Sequence, residues 1–508
     1  MDIKIIYTGA RYAVAELTGC NEETAAAFLN GKEITLKRDI TFIGGLKPET
    51  EYSLSVDGDS VSFRTDYEFV TLDVKKFGAI GDGLNDDTVY IQGAIAACPE
   101  KSRVLIPKGR YKVTNLFLKS NISIELAKDA EIIADNERFS HTIFPGMIQS
   151  YDEKSEYNLG TWEGNPLKMF AGIVTGVDVE NVTIYGEGTL FGNASHEDWW
   201  YNEKVMVGAF RPRLLFLNRC KNINVYGINF KNSPSWTIHP YFSENITLCG
   251  ISINNPSNSP NTDGIDVESC KNVKIEGVHF TLGDDCIALK AGKIYMGRKY
   301  RVSCENVHIR RCLMENGHGA VTLGSEMSGG IKNVLVENCR FRNTDRGLRI
   351  KTRRGRGDTA VIDSITFRHI DMDGVKTPFV ANCFYFCDPD GRTSYVQDRN
   401  PHPVDETTPH IRKLAFENIK CSNCHFAAAY FMGLPERKIS EIYMKNVDIS
   451  FAENAEKGYA AMLCGIDEMS RRGIIAENAE KITLINVNIS GQEGDPVELI
   501  NVDESEVV

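Results

Sequence analysis

The chain repeats one short pattern of apolar and polar positions over most of its length. Six runs begin with asparagine and then alternate apolar with polar residues: NVTIYG at Asn181, NINVYG at Asn222, NITLCG at Asn245, NVKIEG at Asn272, NVHIRR at Asn306 and NVLVEN at Asn333. Weaker copies begin at Ser364, Lys413, Glu441 and Lys481. Alternation with a period of two predicts β-strands that point one side chain inward and the next outward.

The spacing of these strands predicts a solenoid. Successive runs start roughly 23 to 49 residues apart, and no helix-length apolar periodicity separates them. We therefore predict an all-β parallel β-helix, in which each coil stacks on the last and buries a continuous apolar core. The asparagine that opens each run is expected in a left-handed bend, hydrogen-bonded to its stacked neighbours. A β-propeller is the alternative, although its blades repeat more regularly.

Residues 1–66 have a different pattern. The short runs IKIIY, ITLKR and YSLSV alternate apolar with polar residues between turns, which predicts a small antiparallel β domain. The end of this segment, GLKPETEYSLSVDGDSVSFRT, resembles the closing half of a fibronectin type III domain. The segment is shorter than a complete one, so we expect a truncated domain that serves for packing or spacing.

Residues 67–508 form the second predicted domain. Its segment DTVYIQGAIAAC is an amphipathic helix with Asp86 or Asp87 as the N-cap, and we expect it to close the N-terminal end of the solenoid. The length of 508 residues exceeds the roughly 250–300 that one compact core supports, which an elongated repeat explains.

Composition excludes several function classes. No stretch approaches the roughly 20 apolar residues of a membrane span. The start MDIKIIYTGARYAV lacks the features of a secretory signal, so a cytoplasmic location is expected unless a signal has been removed. Fourteen cysteines in this length do not make a disulfide scaffold; Cys249, Cys312 and Cys339 lie in apolar runs and are expected to be buried.

The charge distribution favours an anionic ligand in one region. The net charge of −12 argues against a nucleic-acid partner. The stretch from Lys290 to Arg356 is nevertheless rich in lysine and arginine and poor in acids. An acidic protein with one basic segment focuses anions there, although a solvated basic face is the alternative.

Four polar clusters fall on successive predicted coils. They are Asn261-Thr262-Asp263, Gly283-Asp284-Asp285, Gly317-His318-Gly319 and Arg349-Ile350-Lys351. The steps from Asp263 to Asp284, to His318 and to Arg349 are 21, 34 and 31 residues, about one coil each. Residues at the same phase of neighbouring coils share a face, so the clusters are expected to form one patch.

This patch has the groups that glycoside hydrolysis requires. One carboxylic acid protonates the leaving oxygen, and a carboxylate activates water or attacks carbon. Clustering of Asp263, Asp284 and Asp285 raises the pKa of one of them, which keeps it protonated. Arg349 and Lys351 share strand parity and supply positive charge for a substrate carboxylate.

The motifs NTD, GDD, GHG and RIK, in this order, resemble the polygalacturonases of glycoside hydrolase family 28 from about Tyr67 to the C-terminus. The resemblance implies a right-handed parallel β-helix that hydrolyses α-1,4-galacturonosyl links in pectin with inversion and without metal or cofactor. It implies that Asp284 is the general acid, that Asp263 and Asp285 position and activate water, and that His318 orients or protonates Asp284. Arg349 and Lys351 then bind a galacturonate carboxylate, and Asn261 belongs to the substrate site.

Exo-action on a chain end is expected from further likenesses. Gly283-Asp284 resembles the exo-acting members, and the segments 141–170 and 388–410 resemble loops of bacterial exo-acting relatives. A loop wall would close the groove, and Arg353, Arg354 or Arg392 would recognise the terminal sugar. Loops of this size could also mediate oligomer contacts, and the sequence gives no oligomeric state.

Other functions remain open at this point. They are an endo-acting polygalacturonase, a rhamnogalacturonan-type hydrolase, a pectate lyase or epimerase, and a non-enzymatic polysaccharide-binding solenoid. A lyase would need calcium-binding carboxylates and a basic residue that abstracts a proton. A binding protein would present aromatic platforms without three carboxylates.

Overall fold

The N-terminal segment forms a sandwich of two antiparallel sheets in a computed structural model that describes residues 1–20, 22–152 and 154–508. One sheet contains β1 (Asp2–Thr8), β2 (Ala13–Thr18) and β5 (Asp39–Ile43). The other contains β3 (Thr24–Leu29), β4 (Lys32–Lys37), β6 (Glu51–Val56) and β7 (Asp59–Arg64). Seven strands are a full set for a sandwich of this kind. The expectation of a truncated domain is therefore wrong, because tight turns rather than missing strands make the segment short.

The rest of the chain winds through three parallel ladders. Ladder A begins with β8 (Thr71–Asp73), β10 (Arg103–Ile106), β13 (Ile122–Leu126), β20 (Glu180–Gly186), β23 (Lys221–Tyr226), β26 (Glu244–Cys249), β29 (Lys271–Glu276), β32 (Cys304–Arg310) and β35 (Ile331–Glu337). Ladder B begins with β9 (Asp82–Asp86), β11 (Gly109–Val113), β14 (Ala130–Ala134), β21 (Thr189–Phe191), β24 (Asn229–Lys231), β27 (Ser252–Asn254), β30 (His279–Thr281), β33 (Leu313–Glu315) and β36 (Arg340–Arg342).

Ladder C carries the candidate site. Its strands are β12 (Leu116–Phe117), β19 (Val174–Val177), β22 (Leu215–Asn218), β25 (Ile238–Tyr241), β28 (Ile265–Glu268), β31 (Asp285–Lys290), β34 (Gly319–Gly324), β37 (Arg346–Lys351), β39 (Thr377–Asn382) and β42 (Ala427–Met432). The last coils use longer strands that pass from one ladder to the next: β38 (Val361–Asp373), β41 (Lys413–Cys424), β43 (Ile439–Phe451), β44 (Arg472–Ser490) and β45 (Val497–Val507). The short β40 (His410–Ile411) pairs with β38.

The helices and the remaining strands lie outside the ladders. The helices are α1 (Thr88–Ala97), α2 (Ile294–Tyr300) and α3 (Ser394–Gln397), with 3-10 turns at Val74–Phe77 and Arg138–Ser140. Two small hairpins pair β15 (Ile143–Phe144) with β18 (Met169–Phe170) and β16 (Met147–Gln149) with β17 (Glu156–Asn158). No helix among the described residues is long and apolar enough to cross a membrane.

These ladders confirm the predicted right-handed parallel β-helix with a small N-terminal β domain. Inward side chains from Val74 to Leu484 form one continuous apolar core. Each fully buried Val, Leu, Ile or Phe contributes about 1.5–3 kcal/mol, so the stack of coils is stabilised along its whole length. Cys249, Cys312 and Cys339 are buried and unpaired, as predicted.

The repeated asparagines form a hydrogen-bonded line along the start of ladder A. Their φ angles are close to +57° at Asn181 and Asn245 and +56° at Asn222 and Asn272. Each side-chain amide donates to the asparagine one coil earlier, as in the 2.9 Å contact from Asn222 to Asn181. Asparagine tolerates the left-handed conformation better than most residues, which confirms the sequence interpretation.

The predicted helix closes the N-terminal end of the core. Ile91, Ala94 and Ile95 of α1 are buried in it, and Asp87 precedes its first residue. Asp87 does not cap the helix with its side chain, however. Its carboxylate accepts hydrogen bonds from the backbone of Ile80 and Gly81, so it fixes the preceding turn instead.

The N-terminal sandwich is anchored on the outer side of the β-helix. Tyr12, Val14 and Ile40 pack against Tyr185 and Tyr226 of ladder A. Around this apolar contact, three acids of the sandwich form ion pairs with three arginines of the β-helix: Glu16 with Arg310 and Arg311, Asp39 with Arg311 and Arg340, and Glu23 with Arg340. Part of the basic stretch therefore binds the protein's own N-terminal domain.

Candidate active site

A cavity of about 280 Å³ lies over ladder C. The walls contain the residues Glu163, Lys204, Trp236, Asn261, Asp263, Asp284, Asp285, Lys290, His318, Ser325, Glu326, Arg349, Lys351, Tyr385, Cys387, Asp388 and Met462. The four clusters singled out in the sequence are all represented here. Equal phase on successive coils brings them together, as the repeat spacing predicts.

The three aspartates are neighbours on two adjacent coils. Asp263 lies two residues before the start of β28, and Asp285 begins β31. The backbone N–H of Gly264 donates to the carbonyl oxygen of Asp285 at 3.0 Å. One carboxylate oxygen from each of Asp263, Asp284 and Asp285 lies within 4.8 Å of the others. Asp263 and Asp285 are buried, whereas Asp284 is partly exposed to the cavity.

This separation differs from the one expected for an acid and a water-activating base across a groove. Inverting enzymes commonly hold the two carboxyl groups about 6.5–9.5 Å apart, and retaining enzymes about 5–5.5 Å apart. The present cluster, with oxygens within 4.8 Å, is tighter than either arrangement. Stacking on adjacent coils sets the spacing, because neighbouring parallel strands are about 4.8 Å apart.

Asp263 and Asp285 have opposite electrostatic environments. Burial and the neighbouring carboxylate of Asp284 hold the pKa of Asp263 well above its usual range. Burial acts on Asp285 too, but the charges of Lys351 and Arg349 outweigh it and hold the pKa of Asp285 far below the usual value. The surroundings therefore favour the protonated form of Asp263 and the ionised form of Asp285.

Arg349 and Lys351 are the cause of this difference. Arg349 donates through Nη1 to Oδ1 of Asp285 at 2.8 Å, and Lys351 donates through Nζ to Oδ2 at 2.8 Å. Both side chains point outward from β37, in agreement with their predicted common parity. Their charges are already paired with Asp285. Arg349 and Lys351 can therefore contact a substrate carboxylate only while they remain bonded to this aspartate.

His318 is held by a residue that the sequence interpretation missed. Nδ1 of His318 lies 2.8 Å from Oδ2 of Asp345, one coil further along ladder C. This hydrogen bond raises the pKa of His318 against the effect of burial. The pKa of Asp345 is lowered to about 2, because His318 and Arg346 outweigh burial. The 27-residue step from His318 equals the repeat spacing and could have identified Asp345.

Asn261 lies at the cavity wall and is fixed from behind. Its side-chain oxygen accepts a 2.7 Å hydrogen bond from Nη2 of the buried Arg211. Arg211 also donates to the carbonyl oxygens of Pro234 and Pro260, each at 2.9 Å. The turn that presents Asp263 is thus held to the preceding coil.

The structure does not bring Arg353, Arg354 or Arg392 into the cavity. Arg353 is buried and paired with Asp388 and Asp390, and Arg354 is buried and paired with Glu436. Arg392 lies outside the cavity with its guanidinium over the Phe386 ring. Acids of two later loops, after β39 and after β42, neutralise Arg353 and Arg354. Recognition of a terminal sugar by the three arginines stays a prediction that the lining of this cavity does not support.

A buried ionic network behind the aspartates was also missed. Nζ of Lys290 lies 3.1 Å from Glu326 and 3.4 Å from Asp266. Burial raises the pKa of Asp266 to about 7 and that of Glu268 to about 8. The two acids of IDVE and the lysine of IALK were the available indication, because these strands are neighbours and a buried charge needs a partner of opposite sign.

Four loops cover this face and reach the cavity. Glu163 comes from the segment 141–170, Lys204 from the connection between β21 and β22, Asp388 from the segment after β39, and Met462 from the segment before β44. Trp162 stacks on Phe210 with ring centroids 4.7 Å apart, which fixes the first loop to the second. Both long segments singled out in the sequence thus border the cavity.

The carboxylate cluster is also a geometric candidate for a cation, because its oxygens converge. Divalent ions such as Ca²⁺ prefer several charged or carbonyl oxygens. Here the raised pKa of Asp263 favours its neutral form, and both oxygens of Asp285 are bonded to cationic side chains. The donor set consequently offers little negative charge to a metal ion.

Comparisons with known proteins agree with the fold and identify the family. The model of the family "Glycosyl hydrolases family 28" matches residues 99–461. A probable polygalacturonase of Vitis vinifera is 29% identical over 391 residues, covering 75% of this chain and 74% of that protein. Exo-acting and endo-acting enzymes both occur among relatives that are 25% and 29% identical.

Two solved structures are similar over most of their length. An exopolygalacturonase of Thermotoga maritima has a TM-score of 0.66 and 26% identity, covering 82% of this chain and 91% of its own. A family 28 exopolygalacturonase of Yersinia enterocolitica has a TM-score of 0.71 at 19% identity, covering 100% of this chain and 98% of its own. The second likeness concerns the fold alone and extends over the N-terminal sandwich.

Proposed function

Because this chain belongs to family 28 of the glycosyl hydrolases, we propose that it hydrolyses α-1,4-galacturonosyl links in homogalacturonan or oligogalacturonides, acting from a chain end. One observation carries the proposal: three aspartates with oxygens within 4.8 Å of one another share a cavity with Arg349 and Lys351. The carboxyl groups supply the acid and base for hydrolysis, and the cations favour an acidic sugar.

Each aspartate has a distinct part in the proposed reaction. Asp284, the partly exposed member, donates a proton to the leaving oxygen. Asp263 beside it, whose raised pKa favours the protonated form, is the source from which that proton is replaced. Asp285 remains a carboxylate between Arg349 and Lys351 and orients the attacking water. The bond from the anomeric carbon to the bridging oxygen breaks as water adds, and the proton released from water returns to the cluster.

Inversion at the anomeric carbon is part of the proposal. Both oxygens of Asp285 are held at 2.8 Å by Arg349 and Lys351, so this carboxylate is placed to orient a water molecule rather than to attack the anomeric carbon itself. Proton NMR of freshly formed product measures the anomeric configuration directly. A product that retains its configuration would refute this step.

The loops support action on chain ends. A cavity of about 280 Å³ is at the lower limit of the roughly 300–1,000 Å³ typical of ligand sites, which suits a few sugar residues better than a long polymer. Endo-action in a groove open at both ends is the second candidate, and a rhamnogalacturonan substrate is a third. A cytoplasmic location, where short oligomers are the accessible substrate, also stays a prediction that cell fractionation can test.

One experiment tests these alternatives together. The protein is incubated with trigalacturonate and with polygalacturonate, and the products and viscosity are followed over time. Exo-action releases monogalacturonate or digalacturonate from the start while viscosity falls slowly. A rapid fall in viscosity with few new reducing ends indicates endo-action, and ultraviolet-absorbing unsaturated products indicate a lyase. Absence of products from both substrates contradicts the proposed function.

A further inference from the structure

The two flanks of the aspartate cluster differ in their available positive charge. On the C-terminal side, Arg349 and Lys351 are each bonded to Asp285 at 2.8 Å. Lys290, the third cation of the cavity, is buried between Asp266 and Glu326. Within the described part of the chain, each of these three cations already has a carboxylate partner.

Lys204 is the exception among the lysines and arginines that line the cavity. It is exposed on the loop between β21 and β22, and its ammonium group has no carboxylate or hydrogen-bond partner among the described residues. Because this ammonium group is exposed at the cavity wall and unpaired among the described residues, its charge remains available to an anion that enters the cavity.

The position of Lys204 is opposite to that of Arg349 and Lys351. Lys204 borders the cavity together with Trp236 and Asn261, which lie on coils that precede Asp284. Arg349 and Lys351 lie on β37, two coils after β31. Positive charge is therefore present on both sides of the aspartates along the axis of the β-helix.

This arrangement matches a substrate that carries one carboxylate on every sugar. Cleavage between two galacturonates places one acidic sugar on each side of the scissile bond, and each needs a counter-charge once it is removed from water. We propose that Lys204 binds the carboxylate of the galacturonate on the N-terminal side of the aspartates. It thereby makes the enzyme prefer an acidic sugar over a neutral one at that position. The inference rests on the proposed function and identifies a specificity-determining residue for it.

The test compares Lys204→Met with Lys168→Met. Lys168 is exposed on a neighbouring loop and does not line the cavity, so both variants lose one surface charge. Lys204→Met is expected to raise KM for trigalacturonate about 3- to 10-fold with kcat nearly unchanged, in the range of a partly exposed charged contact. Lys204→Arg should retain most of the affinity, and Lys168→Met should behave as wild type. Equal KM values for wild type and Lys204→Met, or an equal rise in Lys168→Met, would overturn the inference.

A binding measurement separates this inference from the proposed function. Calorimetric titration of Asp284→Asn with trigalacturonate, and with its carboxyl-reduced neutral analogue, requires no turnover. Loss of affinity for the acidic trisaccharide alone on adding Lys204→Met supports the subsite, even if the wild type cleaves no galacturonate. Turnover of trigalacturonate together with unchanged binding in the double variant leaves the proposed function standing and removes the role of Lys204.

Discussion

Asp263 and Asp285 occupy matching places on adjacent coils, yet the structure shifts their pKa values in opposite directions. Asp263 is buried beside Asp284, and its pKa is held well above the usual range by burial and by that neighbour. Asp285 is equally buried, but Lys351 and Arg349 keep it ionised. The difference arises from side chains 64 and 66 residues further along the chain. Identical residues on one ladder thus acquire different chemistry from side chains that reach them from two coils away.

Removing the acid gives the largest expected effect. Asp284→Asn should lower kcat on trigalacturonate by about 10²–10⁴-fold, because an amide cannot donate the leaving-group proton. The unfolding transition should be nearly unchanged, since Asp284 is partly exposed. Initial rates and a denaturant titration measure the two quantities. A folded variant with near-wild-type turnover would show that the acid is another member of the cluster.

Removing one counter-charge should make Asp285 resemble Asp263. Lys351→Met leaves the buried Asp285 with Arg349 alone, and losing one partner of a buried ion pair costs about 3 kcal/mol. Chemical unfolding at neutral pH measures this loss in the free energy of unfolding. Lys413→Met, which removes an exposed partner of Glu441, is the control and should cost less than about 1 kcal/mol. Equal losses would mean that Asp285 does not depend on Lys351.

The difference in stability between wild type and Lys351→Met should depend on pH in a definite direction. The depressed pKa of Asp285 stabilises the folded protein above the unfolded pKa of about 3.9, and this stabilisation is lost as pH falls further below it. Lys351→Met should therefore differ most from wild type at neutral pH and approach it in acid. A difference that grows toward low pH would contradict the assignment.

Asp263→Asn should raise the stability of the folded protein at alkaline pH, whereas Lys351→Met should lower it at neutral pH. The raised pKa of Asp263 means that the folded state is favoured while this group is protonated, and that this contribution is lost as pH rises through the folded pKa. Asparagine keeps the neutral shape, so the variant should gain about 1 kcal/mol of stability at alkaline pH while losing activity. Thermal melts from acid to alkaline pH measure the gain. Asp358→Asn, at an exposed position, is the control and should follow wild type.

The smallest expected effect concerns His318. Asp345→Asn replaces the charged acceptor that raises the pKa of His318 with a neutral amide oxygen, so the imidazolium should lose its proton at lower pH than in wild type. If the charged form supports Asp284, the alkaline limb of kcat/KM moves to lower pH while the maximum changes little. NMR titration of the His318 ring and a pH–rate profile measure the two shifts. If the pKa of His318 falls but the pH–rate profile does not move, the protonation of His318 does not contribute to the rate.

The sequence alone determined the repeated framework and the gathering of the catalytic groups. Alternation with a period of two and an asparagine at each turn specify coils, because these patterns act through local backbone geometry and contacts to the next coil. The spacing of Asp263, Asp284, His318 and Arg349 then places them on one face without knowledge of any loop. The step to Asp345 was available by the same argument and was missed.

The tertiary structure decided which charges are paired and which are free. The sequence predicted that Arg353 and Arg354 bind substrate. In the structure, however, Arg353 is paired with Asp388 and Asp390, and Arg354 is paired with Glu436. Lys204, which had no motif around it, lines the cavity with no partner among the described residues. Ion pairs act over a few ångströms and depend on the path of each loop, and loop paths follow no repeat. A periodic pattern therefore predicts where a solenoid presents its side chains, and the folded loops determine what each charge meets there.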